Sequence, residues 1–277
     1  SQSDLEGTDA SRLSNGIEYL KVKENINFVG NAFEADAGFS AIWYQVDPGS
    51  LRPDGPVSLI IPRRTEQEQG LEMAIYANTR VDLSSRLSVE AGLRYSRYQF
   101  LGPQRMFTYE NPEQPSVPEL QEEVDFNDRV IHSTGNLEPR LSARYRLNRE
   151  ASVKVGYART TQYINQIFNN DTPPPTSLWQ LTNQYIPPSL SHNLSLGYFR
   201  NLNQNNWITS LEVFYRYMDQ QLDIKDFADL IANNHVETEI LSGIGRAAGL
   251  ELSVRKQVGT VNGSFNYTLS RTERKIA

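Results

Sequence analysis

The stretch that decides the fold is residues 137–157, LEPRLSARYRLNREASVKVGY. Apolar and polar residues alternate along it, both before and after a short polar break at Asn148-Arg149-Glu150. A period of two is the pattern of a β-strand whose two faces meet different surroundings. The stretch therefore predicts two antiparallel strands joined by a short turn. One face carries Leu, Val, Ala and Tyr, and the other carries Arg, Lys, Ser and Glu.

The same alternation recurs along the chain and predicts about ten strands. They cover residues 16–28, 33–45, 70–83, 86–100, 137–147, 151–158, 190–202, 207–220, 244–256 and 260–274. Short turns lie near residues 30, 85, 149, 204 and 258, and long loops cover 46–68, 101–136, 165–189 and 222–243. Short connections at one end and long ones at the other are typical of outer-membrane barrels. We therefore predict an all-β, antiparallel transmembrane β-barrel, with periplasmic turns and extracellular loops.

Composition narrows the classes of protein. The 277 residues carry a net charge of −6, which is unfavourable for nucleic-acid binding, and contain no cysteine, which excludes disulfides and thiolate metal sites. No run approaches 18 apolar residues, so no transmembrane helix is predicted. The mean hydropathy of −0.54 suits a membrane barrel, because only every second strand residue faces lipid.

Aromatic residues near both ends of the apolar faces favour lipid as their environment. Tyr145, Tyr198 and Trp207 lie close to short turns, and other tyrosines (Tyr95, Tyr157, Tyr215) follow within one crossing of about 9–11 residues. Two such belts match the two membrane interfaces. Between them we expect Thr79 and Thr209 to be the only polar residues. The alternative, a soluble sheet, needs a second layer, but no sufficiently long amphipathic helix is present and the opposite face is too charged for a core.

The predicted orientation also makes the chain a part of a barrel. With periplasmic turns, the first strand runs inward and the last runs outward, so both ends of the chain lie outside the cell. Single-chain bacterial barrels have an even number of strands and normally have both termini in the periplasm. We therefore expect residues 1–277 to form one partial barrel domain, with further strands on either side. Ten strands alone would enclose a cramped, charged lumen.

Several strand segments resemble TonB-dependent outer-membrane receptors. These are residues 138–147, 152–159, 162–164, 191–199, 211–215 and 249–255, together with 93–95 and Gly102-Pro103. The resemblance implies a barrel of about 22 strands around a plug domain. It also implies uptake of a scarce ligand, energised by the TonB complex. Neither the plug nor the TonB-contact segment is expected within residues 1–277.

Charged residues on the polar faces form the candidate site. The lumen-lining residues are Arg80, Arg94, Arg140, Arg144, Lys154, Glu212, Arg216, Glu251 and Arg255. They form either a hydrated, salt-bridged wall that holds the plug or a path for the substrate. Trp179 and Tyr185, in a loop with Asn169, Asn170 and Asp171, are candidates for holding a sugar or peptide, although ordinary loop chemistry also explains them.

No catalytic or metal site is predicted. The three histidines, His132, His192 and His235, are dispersed, and the acidic loop near residues 110–128 lacks ion-binding spacing. We expect no cofactor and no enzyme activity. Expected partners are outer-membrane lipid and lipopolysaccharide, the missing plug and barrel strands, the TonB complex and a surface lipoprotein. The alternatives to a bacterial outer-membrane receptor are a passive or structural barrel component and an outer-membrane hydrolase.

Overall fold

The computed structural model describes residues 7–112, 115–117, 120–127, 129–167, 178–203 and 205–276. These residues form fifteen strands and a 3-10 helix at Val236–Thr238. The strands are β1 (Ser11–Val29), β2 (Phe33–Pro53), β3 (Arg63–Arg64), β4 (Glu68–Asp82), β5 (Leu87–Leu101), β6 (Gln104–Tyr109), β7 (Leu120–Phe126), β8 (Val130–Arg146), β9 (Ala151–Gln162), β10 (Ile164–Ile167), β11 (Leu178–Leu181), β12 (Ser189–Leu202), β13 (Trp207–Ile224), β14 (Ile240–Lys256) and β15 (Gly263–Ile276). Among the described residues, no helix has the length and apolar character needed to cross a membrane.

One large antiparallel sheet dominates the fold. Its strand order is β1-β2-β4-β5-β8-β9-β12-β13-β14-β15, with β3 added to β2. Within the described residues β1 and β15 do not pair with each other, so the sheet is open. Two small hairpins, β6–β7 and β10–β11, lie outside this path. The predicted all-β, antiparallel architecture is confirmed.

The register confirms the two faces that alternation predicts. In the hairpin of β8 and β9, Leu141 pairs with Tyr157 and Tyr145 pairs with Val153, while Arg144 pairs with Lys154. Residues directly opposite each other in an antiparallel pair point to the same side. One face of the sheet is therefore apolar, and the other carries the charges.

The strands extend further toward the long connections than predicted. β1 begins at Ser11 instead of Gly16, β2 continues to Pro53, β8 begins at Val130 and β14 begins at Ile240. The predicted loop 46–68 is thus strand at both of its ends and at β3, and the loop 101–136 contains the β6–β7 hairpin. The extension of β2 lacks clean alternation because the long connections pack against it, and Val46 and Ser50 are both buried there.

The charged face is the concave one. The hairpin β10–β11 contacts β1, β2 and β4 through β11, and contacts β13 through β10. Since β2 and β13 are six positions apart in the sheet, a flat sheet could not place both against one hairpin. A salt bridge of 3.0 Å between Arg63 Nη1 and Asp229 Oδ2 also joins the connection after β2 to the connection after β13. We call the concave face the inner face and the convex one the outer face.

Buried side chains concentrate where the long connections fold over the inner face. One cluster consists of Tyr44, Val46, Tyr98, Phe100, Met106, Tyr163 and Leu181, with Trp179 and Tyr185 packed against it. A smaller cluster contains Ile167, Leu178 and Val236. The packed core therefore lies at the long-loop end of the sheet, a feature that strand alternation did not predict.

The outer face is apolar and largely exposed. Leu141 is 54% exposed and Ile75 is 65% exposed. The two predicted threonines direct their hydroxyls to backbone oxygens, since Thr79 Oγ1 donates to Glu34 O (3.3 Å) and Thr209 Oγ1 donates to Arg200 O (2.9 Å). Such internal hydrogen bonds make a hydroxyl compatible with lipid.

Two charged residues also lie on the outer face, at its margins. Glu24 pairs with Phe39, and Arg200 pairs with Thr209, so both lie on the outer face. Glu24 belongs to β1, at the open edge of the sheet, and Arg200 lies close to the short turn after β12. Both positions are at the margins of the apolar surface, where a charge costs less than at its centre.

Candidate functional site

All nine predicted lumen-lining charges lie on the inner face, but the structure does not bring them into one cluster. Arg80, Arg144 and Lys154 surround a concavity of about 370 Å³ near the short turns, together with Glu90. Higher on the wall, a concavity of about 490 Å³ contains Arg94 and Arg140. The remaining four lie on β13 and β14: Glu212 pairs with Glu251, Arg216 with Ala247, and Arg255 with Ile208.

Arg94 ties three neighbouring strands together on the inner face. Its Nη2 lies 2.9 Å from Glu72 Oε1 on β4, and its Nε lies 3.5 Å from Glu138 Oε1 on β8. Tyr44 on β2 donates from its hydroxyl to the second oxygen of Glu72 at 3.2 Å. One guanidinium therefore compensates two carboxylates that are mostly shielded from water, an arrangement in which the loss of the cation is costly.

A directed chain of hydrogen bonds continues from this ion pair to the loop core. Asn136 Nδ2 donates to the Tyr163 hydroxyl (3.2 Å), which lies 2.8 Å from Ser96 Oγ. Ser96 in turn donates to Glu138 Oε1 at 2.7 Å. The Tyr163 ring stacks on Tyr98 with 5.0 Å between centroids. The inner wall and the segment that follows β9 are therefore held as one unit.

Glu68 joins the β11 strand to the wall at the long-loop end of β4, beyond the apolar outer surface. Its carboxylate accepts hydrogen bonds from Leu181 N (3.0 Å) and from Gln180 Nε2. The side chain is buried, and desolvation raises its pKa to about 8, despite the two hydrogen bonds that favour the ionised form. The protonation of Glu68 is thus coupled to the docking of β11.

A second polar cluster holds three connections together above the inner face. Tyr109 donates from its hydroxyl to Glu237 Oε1 (2.6 Å), and the Tyr109 hydroxyl oxygen lies 3.0 Å from His235 Nδ1. The His235 ring packs at 4.1 Å from Phe107, and Tyr185 meets Tyr109 edge-on at 5.5 Å. Burial raises the pKa of Glu237 and lowers the pKa of His235. The β6–β7 hairpin, the segment after β11 and the connection after β13 therefore form one assembly.

A cavity of about 240 Å³ lies within this assembly. Its walls come from four separate connections and include Arg64, Glu66, Glu68, Arg105, Phe107, Gln180, Asn183, Asn233, Asn234 and Glu237. Arg105 is held by Glu123 (2.9 Å) and Asp125 (3.1 Å), and its backbone N–H donates to Glu66 (3.0 Å). The cavity offers donors and acceptors on all sides, which is the character of a site for a small polar ligand or for one end of a larger one.

Trp179 and Tyr185 lie in the loop assembly as packing residues. Both contact the larger buried cluster, and Tyr185 donates from its hydroxyl to Phe107 O at 2.8 Å. The neighbouring Asn169, Asn170 and Asp171 lie outside the described residues. The loop residues of the cavity and of the polar cluster beside it were not predicted as a site: Glu68, Arg105, Tyr109, His235 and Glu237. They come from segments far apart in sequence, and no spacing signal connects them.

Neither a metal centre nor a histidine-based catalytic arrangement is found in the described part of the chain. No group of three or more His, Cys, Asp or Glu residues there is arranged to hold a metal ion. No histidine ring among these residues is hydrogen-bonded to a Ser or Thr hydroxyl. His192 instead lies on the outer face, with its Nδ1 2.9 Å from the Tyr157 hydroxyl.

The fold is similar to that of several solved structures. The chain matches the copper transporter OprC (12% identity, TM-score 0.60), covering 95% of this chain and 39% of that one. It matches FpvA of P. aeruginosa bound to pyoverdine with 14% identity and a TM-score of 0.59, covering 95% of this chain and 34% of that one. It matches the FrpB iron transporter of Neisseria meningitidis with 10% identity and a TM-score of 0.56, covering 94% of this chain and 36% of that one. The chain thus spans little more than a third of the length of these structures.

Comparison at the level of sequence identifies the family. No curated protein sequence matches the chain. A family model described as "TonB dependent receptor-like, beta-barrel" matches residues 3–276, which is nearly the whole chain. Together with the open antiparallel sheet and its apolar outer face, this match shows that the chain belongs to the family of TonB-dependent receptor β-barrels.

Proposed function

We propose that this chain forms part of the wall and the ligand-capturing loops of an outer-membrane receptor that imports a scarce ligand by TonB-energised transport. One observation carries the proposal: one side of the sheet is an exposed apolar outer face, and the other side is a charged inner face that packed loops partly cover. A ligand held by the loops would leave the cavity toward the inner wall and not toward lipid.

The two inner-face regions have different roles in this proposal. The loop cavity with Arg105 and Glu237 makes the first contact with the ligand. The cationic concavity of Arg80, Arg144 and Lys154 lies near the short turns and is the surface against which a plug domain would rest. Membership of the family implies both the plug and the TonB complex as partners. The structural neighbours carry iron or copper, and we propose a scarce metal or its chelate as the ligand class.

The sidedness of the barrel is tested by cysteine labelling, because residues 1–277 contain no cysteine. In the full-length gene product, Asp226→Cys lies in the connection after β13, and Arg149→Cys lies in the turn between β8 and β9. We expect a membrane-impermeant maleimide to label Asp226→Cys in intact cells and Arg149→Cys only after lysis. The opposite pattern, or recovery outside the outer-membrane fraction, would refute the orientation.

Transport is tested by uptake of radiolabelled iron and copper chelates into cells that depend on the full-length gene product. We expect uptake to fall to background when TonB is deleted, and to weaken when Glu237→Gln and Arg105→Gln disturb the loop cavity. Uptake that is unchanged without TonB would contradict active transport and favour a passive or structural barrel component.

A further inference from the structure

A row of basic and aromatic side chains crosses the outer face near the long-loop end of the sheet. Arg159 on β9 pairs with His192 on β12, which pairs with Tyr217 on β13, which pairs with Arg246 on β14. The four residues are successive register partners, so their side chains lie on the same face, about 5 Å apart from strand to strand. They follow the same alternation as Tyr157, Leu194 and Tyr215 and therefore point outward.

The row lies at the upper margin of the apolar surface. A strand tilted as in outer-membrane barrels climbs about 2.5 Å per residue along the membrane normal. Trp207 lies directly after a short turn, and Tyr217 is ten residues further along β13. Tyr217 is thus about 25 Å above Trp207, which is the height of the apolar band of such barrels. Arg159, His192 and Arg246 lie where lipid headgroups of the outer leaflet begin.

The donors of this row are not used within the described part of the protein. Arg159 Nε is shielded from solvent and has no hydrogen-bond partner. Arg246 is exposed, and its neighbour in the register, Glu273, is engaged by Arg271. When the Tyr157 hydroxyl donates to Nδ1 of His192, the ring proton is on Nε2, and this N–H is a free donor. Arg159 Nε therefore has no acceptor among the described residues, and His192 and Arg246 add two outward-facing groups with N–H donors.

We propose that Arg159, His192 and Arg246 form a binding site for the phosphorylated sugar headgroup of lipopolysaccharide. Guanidinium groups bind phosphate through paired, charge-assisted hydrogen bonds, and an aromatic ring such as that of Tyr217 suits the boundary between acyl chains and sugars. The two arginines lie three strands apart, which allows them to contact phosphates on different sugars of one headgroup. This inference rests on the proposed function in one respect, namely that the long connections lie outside the cell.

The test uses the full-length gene product, purified from outer membranes, stripped of lipid and reconstituted in nanodiscs. Binding of a diphosphorylated lipid A is compared with binding of the same glycolipid after removal of its phosphates. We expect Arg159→Gln together with Arg246→Gln to weaken binding of the phosphorylated form about tenfold or more. The Lys variants at the same positions should recover most of the affinity, since they keep the charge.

A matched control removes the same charge at the other end of the sheet. Arg86→Gln and Arg149→Gln lie in short turns and should leave binding unchanged. Equal binding by the wild type and the Arg159/Arg246 double variant would overturn the inference, as would equal binding of the dephosphorylated glycolipid or of a phospholipid. The Asp226→Cys labelling keeps the two proposals separate: correct sidedness without selective glycolipid binding refutes only this inference.

Discussion

Substitution of Leu141 by arginine tests the assignment of the two faces most directly. Leu141 points outward between Ala91 and Tyr157 and is 54% exposed, so its replacement removes little internal packing. It lies four residues above Tyr145, which is about 10 Å along the membrane normal and near the middle of an apolar band about 25 Å tall. A charge at this depth is far from both interfaces.

We expect Leu141→Arg to lower the free energy of unfolding from a bilayer by about 2–4 kcal/mol, the cost of Arg near the membrane midplane. The matched control is Ser142→Arg, one residue further on. Ser142 points inward, and its hydroxyl donates to Glu90 Oε2 at 3.5 Å, so an arginine there meets water and a carboxylate. Its effect should stay within about 1 kcal/mol, as for an exposed ion pair.

The measurement is a denaturant titration of the full-length gene product in lipid vesicles, with tryptophan fluorescence and the gel-mobility shift of the folded barrel as probes. Both variants are compared with the wild type in the same lipid. Equal destabilisation by the two arginines would refute the assignment of faces. A larger effect of Ser142→Arg would show that the charged face is the one that meets lipid.

Three further predictions concern the loop assembly and the inner wall. The pKa of Glu68 is raised to about 8, above that of an ordinary carboxyl. Its contribution to β11 docking is therefore complete below about pH 4.5 and is lost as the pH rises through about 8. Trp179 fluorescence should report undocking at high pH, and Glu68→Gln should abolish this pH dependence. Arg94→Met leaves Glu72 and Glu138 uncompensated and should cost about 2–4 kcal/mol in the same titration, the lower end reflecting partial solvent exposure; an effect below that of exposed Arg149→Gln would contradict the described ion pairs. A Cβ at Gly70 would lie 2.6 Å from the Tyr98 hydroxyl, so Gly70→Val should cost about 1–3 kcal/mol by overpacking, whereas Gly16→Ala, with nothing within 4 Å, should be nearly neutral.

The strands and their faces could be predicted because they depend on local sequence. The alternation of residues 137–157 predicts that Leu141 and Tyr157 lie on one face of the sheet and that Arg144 and Lys154 lie on the other. The register agrees. A period of two is a property of neighbouring residues, and the contrast between lipid and water imposes it on every crossing. For the same reason alternation does not predict the parts of β2 and β8 that lie nearest the long connections, where the contrast between lipid and water ends.

The loop assembly and the ion pairs of the inner wall depend on the tertiary structure. Leu181 and Glu68 are 113 residues apart, Tyr109 and Glu237 are 128 apart, and Glu138 reaches Arg94 only because β5 and β8 are neighbours in the sheet. Such contacts produce no periodic pattern in the sequence, because each residue contacts a partner in a distant segment of the chain. Residue alternation alone therefore determines that this chain is an antiparallel sheet with one apolar and one charged side. Which charges are paired, which loops close over them and where a cavity remains are decided by the curvature that brings distant connections together.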